Sequence, residues 1–70
     1  MKISARNQIA GRIVEVRKGT TTAHVRIDIG GGTVVTAAIT NEAVDYLGLA
    51  AGKAAIAVIK ASDVMIAVAD

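Results

Sequence analysis

The sequence predicts an all-β domain, a five-stranded OB-like barrel with one short helix between strands three and four, assembled as an oligomer. Three observations predict it. Short apolar runs of strand length are separated by glycine-rich or polar breaks, the pattern of a small barrel. One stretch, Asn41–Leu47, reads as helix and falls after the third run. The last two runs are apolar on both faces, and a single chain of 70 residues cannot cover both.

The elements follow in order. Strand one is expected over Ile9–Lys18, with Gly11 marking a bulge or a close approach of backbones. Gly19–Thr22 is a polar break. Ala23–Ile29 then alternates, with Ala23, Val25, Ile27 and Ile29 on one face and His24, Arg26 and Asp28 on the other. Gly30-Gly31-Gly32 is a hairpin turn, because glycine reaches positive φ without steric cost, and Thr33–Ile39 returns as strand three. Thr40 is the expected N-cap of a helix over Asn41–Leu47 that buries Ala43, Val44 and Leu47, and Gly48 sits at its C′ position. After a turn at Leu49–Lys53, Ala54–Lys60 is strand four. Ala61-Ser62-Asp63 is a sharp corner, and Val64–Val68 is strand five. No proline, linker or internal repeat divides the chain, so residues 1–70 form one domain.

Composition narrows the chemistry. A core this small supplies only about 3–5 kcal/mol of net stability, so an additional staple is expected. The chain has no cysteine, which removes disulfides and thiolate metal sites, and one histidine, His24, which argues against a histidine metal cage. Oligomerisation is the remaining staple. The apolar run Ala54–Ile59 falls far short of the roughly 20 residues of a membrane span. No signal-peptide core follows Lys2, so a soluble, cytoplasmic protein is expected. The net charge of +2 is mild and its cations are scattered, which suits a small anion better than a nucleic acid.

Three stretches carry a family likeness: Ile3-Ser4-Ala5-Arg6-Asn7-Gln8, then Ala38–Val44 (AITNEAV), then Ala57–Val64 (AVIKASDV). Together they resemble the molbindin, or Mop, proteins. These are the free-standing form of the TOBE-type oxyanion-binding domain also found in molybdate-dependent regulators and transporter ATPase tails. The resemblance spans essentially the whole chain. It implies an OB-like fold assembled as a hexamer, a trimer of strand-exchanged dimers. It also implies molybdate or tungstate bound between subunits for intracellular storage, with no organic cofactor and no metal ion held directly by side chains.

The residues suit that ligand. Molybdate is a fully deprotonated dianion near neutrality, so each of its oxygens accepts hydrogen bonds and its site should offer donors only. Ser4-Ala5-Arg6-Asn7 offers a hydroxyl, a guanidinium, an amide and successive N–H groups. Lys60-Ala61-Ser62 offers an ammonium, a hydroxyl and the N–H groups of a tight corner. Singly, Arg6 reads as a solvated cation and Ser62 as a turn cap. Lys60 is more telling, because it ends a strongly apolar strand. The expectation is that Ser4 and Arg6 of one subunit meet Lys60, Ala61 and Ser62 of another, with Asn7 a lesser member. Some relatives carry a hydroxyl near the helix start where this chain has Ala43. The resemblance also implies a second oxyanion site on a threefold axis, for which Gly19, Thr20 and Thr22 are candidates, although each threonine taken singly reads rather as part of an ordinary hydroxyl-rich connection.

Other function classes find less support. A nucleic-acid-binding OB module uses aromatic platforms for base stacking, and here the only aromatic residue is Tyr46, on the expected helix. An assembly or regulatory module with a nucleic-acid or protein partner remains the alternative. No nucleophile–base pair, His or Cys constellation or paired carboxylates point to an enzyme. His24, on the polar face of its strand, reads as solvated or interfacial.

Overall fold

The computed structural model describes residues 1–70. Four strands form: β1 over Asn7–Lys18, β2 over Thr22–Gly30, β3 over Thr33–Thr40 and β4 over Ala54–Ile59. The single helix, α1, spans Asn41–Leu47 between β3 and β4. The strands build one antiparallel sheet in the order β3-β2-β1-β4. No helix is long and apolar enough to cross a membrane.

The alternation read in β2 holds. Ala23, Val25 and Ile27 are buried and His24, Arg26 and Asp28 are exposed. Ile13 and Ala57 join them from β1 and β4, and Val44 packs down from α1 to complete the core. The Gly31-Gly32 turn has positive φ at both residues, as the right-handed twist of the flanking strands demands, and the Asp28 carboxylate accepts the Gly30 N–H at 2.8 Å. Gly11 is a point of close approach. A Cβ built there lies 2.5 Å from the Asp28 carbonyl oxygen, while the ladder irregularity falls further along, between Ile13 and Glu15.

The helix is capped as its sequence dictates. Thr40 Oγ1 accepts the Ala43 N–H at 3.0 Å, and Gly48 adopts the left-handed conformation at φ 65°. Of the three side chains expected to be buried, Val44 is buried and Ala43 half-buried, but Leu47 is 61% exposed. It lies on the rim of an apolar groove that stays open between β3 and β4.

The fifth strand is the main correction. Val64–Val68 forms no ladder, and every residue from Lys60 to Asp70 is exposed. Met65, Ile66 and Val68 are each at least 85% exposed. The physical reason is the lack of a partner. A strand is defined by hydrogen bonds to a neighbouring edge, and this tail returns to neither edge of its own sheet. The free edges β3 and β4 instead flank the groove, which is lined by Val35, Ala37, Ile39, Ala55, Ala57 and Ile59. The apolar outer face expected on strand four is present, with Ile56 and Val58 exposed.

Candidate oxyanion site

The β1–β4 register brings the two donor-rich segments together. Asn7 pairs with Ile59, so Ser4–Arg6 enters the sheet at the same end at which Lys60–Ser62 leaves it. One further step in that register would set Arg6 opposite Lys60. The segments are thus neighbours within one chain, whereas the sequence alone suggested that they met only across two.

Local structure orients the first segment. Ala5 is 8% exposed, so its methyl anchors the turn in the interior while Ser4 and Arg6 on either side remain in solvent. Gln8 Nε2 donates to the Ala5 carbonyl at 3.1 Å, closing the turn. Asn7 Nδ2 donates to the Ile59 carbonyl at 3.2 Å, so the amide expected to reach the ligand instead ties β1 to the strand leading into Lys60. Sequence reasoning assigned Gln8 no role. The available signal was an amide side chain directly following the SARN stretch.

The second segment is the corner expected there. Ala61–Asp63 forms a single 3-10 turn in which the Asp63 N–H donates to the Lys60 carbonyl at 2.9 Å. Such a turn leaves the N–H groups of its first residues without intrahelical partners. The side chains of Ser4, Arg6, Lys60 and Ser62 are exposed, and none makes a hydrogen bond or ion pair within the chain. Four of the other six cations are engaged, Lys2 and Arg17 being the exceptions. Lys18 pairs with Asp45 and Arg26 with Glu15, while Arg12 and Lys53 donate to the Gly52 and Gly48 carbonyls. Arg6 and Lys60 thus stand at one end of the sheet with no ion-pair partner, the carboxylate of Asp63 following in the same corner.

The Lys18–Thr22 loop is the other candidate. Asn41 Nδ2 donates to the carbonyls of Gly19 at 2.9 Å and Thr20 at 3.3 Å. The Asn41 backbone N–H donates to Thr21, and the Gly19 N–H to Thr22, each at 2.8 Å. Four successive carbonyls thus accept bonds from within the chain, while Gly19, Thr20 and Thr22 are exposed. The helix start offers less, because the Ala43 N–H is already bonded to Thr40. No group of three or more His, Cys, Asp or Glu side chains converges to hold a metal ion.

The fold, a small antiparallel sheet with one short helix, agrees with comparisons to known proteins. The TOBE domain model matches residues 3–66, and the chain belongs to that family. It is 50% identical over 68 residues to a probable molybdenum-pterin-binding protein of Haemophilus influenzae, covering 97% of this chain and 99% of that one. The structure of MopII from Clostridium pasteurianum superposes with a TM-score of 0.89 at 43% identity, covering 96% and 100% of the two chains. The cytoplasmic molybdate-binding protein ModG, in a form with molybdate bound, superposes equally well at 43% identity, and the match spans 93% of this chain and 46% of ModG. The likeness to the Mop proteins read from the three sequence stretches is borne out.

Proposed function

We propose that this chain is a homo-oligomeric molybdate- or tungstate-binding protein of the cytoplasm, serving molybdenum storage and homeostasis without a catalytic step. The observation that carries the reading is the convergence of Ser4, Arg6, Lys60 and Ser62 on one end of the sheet with every side-chain donor unengaged. Two cations balance a dianion, and two hydroxyls with the turn N–H groups orient it. A relative solved with molybdate bound supports the choice of ligand. Tungstate presents the same charge and tetrahedral shape.

In this reading the anion lies between copies, at the end of the sheet where each chain brings Ser4 and Arg6 beside Lys60, Ala61 and Ser62, so that donors of a neighbouring copy close over it, with Asn7 bracing the β-ladder beneath. Support comes from the chain beyond the corner. After Asp63 the tail leaves the sheet and exposes Met65, Ile66 and Val68, while the groove between β3 and β4 lacks a strand. Exchange of Val64–Val68 between two copies fills both grooves and closes both barrels. The outward-facing Ile56 and Val58 give the dimers a further apolar contact, and a trimer of such dimers brings copies of the Lys18–Thr22 loop together. There Gly19, Thr20 and Thr22 offer hydroxyl and N–H donors to a second oxyanion.

The test is molybdate titration of Lys60→Ala by calorimetry, alongside its native mass. The expected result is loss of tight binding with the oligomer intact. Unaltered titration heat would remove Lys60 from the site and favour an assembly module in its place.

A further inference from the structure

The chain contains three amide side chains, Asn7, Gln8 and Asn41. Each donates to a backbone carbonyl in, or directly before, a segment assigned above to oxyanion binding. Gln8 takes the Ala5 carbonyl inside the SARN turn, and Asn7 takes that of Ile59 just before Lys60. Asn41 takes those of Gly19 and Thr20 in the loop. Simple filling of space does not explain the pattern. Asn41 Oδ1 is buried without a donor, a destabilising feature that an apolar side chain would avoid. What the amide adds at this position is its N–H donor.

The chemistry of the ligand explains why carbonyls should be restrained. Every backbone segment that offers N–H groups to an anion also carries carbonyl oxygens, and these repel a fully deprotonated oxyanion. To an oxyanion that keeps a proton, the same carbonyl is an attractive acceptor. A carbonyl tied to a side-chain amide is fixed in direction and has part of its acceptor capacity already taken.

We propose that Asn7, Gln8 and Asn41 are specificity-determining positioning residues. By engaging the carbonyls of Ile59, Ala5, Gly19 and Thr20, they leave segments that accept deprotonated dianions and reject protonated ones such as hydrogen phosphate. The proposal rests on the oxyanion-binding reading given above and assigns the selectivity of that same site.

The test uses the full-length oligomer and two probes, molybdate and inorganic phosphate, titrated at about pH 8, where both carry close to two negative charges. Gln8→Met keeps length and loses the donor, Asn41→Leu does the same in the loop, and Gln8→Lys restores a donor to Ala5. In Gln8→Met the preference for molybdate over phosphate is expected to narrow about tenfold, the scale of one lost hydrogen bond in a site of this kind. Gln8→Lys is expected to retain the wild-type ratio. Asn41→Leu is expected to narrow it only for the loop site, and it provides the reading if Gln8→Met fails to assemble. Equal loss of affinity for both anions, or an unchanged ratio in the donor-less variants, would overturn the proposal while leaving molybdate binding standing. A wild-type protein that binds no molybdate would instead refute the underlying function.

Discussion

Asn7 and Ile59 face each other on the last rung of the β1–β4 ladder, and the Asn7 amide adds a second tie by donating to the Ile59 carbonyl at 3.2 Å. This double link sets where the N-terminal donors lie relative to Lys60, because the chain leaves regular structure one residue beyond it on either strand.

Asn7→Asp exchanges that donor for an acceptor aimed at a carbonyl oxygen. Urea denaturation is expected to show a loss of about 1–3 kcal/mol, against about 1 kcal/mol for Asn7→Ala, which only removes the bond. Molybdate affinity should fall further in the Asp variant, since it also adds negative charge beside the site. Equal stability of the two variants would show that the carbonyl contact contributes nothing.

At Gly11 the backbones of β1 and β2 approach closely. A methyl group there meets the Asp28 carbonyl oxygen at 2.5 Å and Ile27 Cγ2 at 2.7 Å, so β1 and β2 must separate to admit it. Gly11→Ala is expected to destabilise the fold by about 1–3 kcal/mol through overpacking, measured as a lower denaturation midpoint with an unchanged slope. A neutral effect would mean that the strands move apart freely.

Ile66 is 86% exposed in the single chain, on a tail that is apolar from Val64 to Ala69. If that tail fills the β3–β4 groove of another copy, Ile66→Asp places a charge in an apolar channel. Sedimentation analysis should then show smaller assemblies than the wild type forms at equal concentration. An unchanged mass would release the tail from any role in assembly.

Much of this architecture was legible in the residues because it is locally encoded. The alternation from Ala23 to Ile29 told inside from outside because side chains on a strand switch face at every residue. Thr40 and Gly48 marked the helix ends because one supplies an oxygen to a free N–H and the other reaches the left-handed region. The Ser4–Asn7 and Lys60–Ser62 stretches stood out as donor-rich for a similar reason, since donor chemistry belongs to residue type. Leu47 misled because apolar character states only that a side chain favours burial; its cover is not supplied within this chain. Gln8 escaped notice for the opposite reason. An amide has no preferred partner until the fold brings a carbonyl within reach.

By itself, then, the sequence determined the β1–β4 elements, the caps of α1, the family and the chemical character of the donor segments, all properties of neighbouring residues. The tertiary structure decided that Asn7 faces Ile59, that Gln8 and Asn41 donate to the carbonyls of Ala5, Gly19 and Thr20, and that Val64–Val68 finds no edge in its own chain. Each of these depends on strand register, which is set by contacts between residues far apart in the chain, and a strand exists only where an edge is present to pair with it.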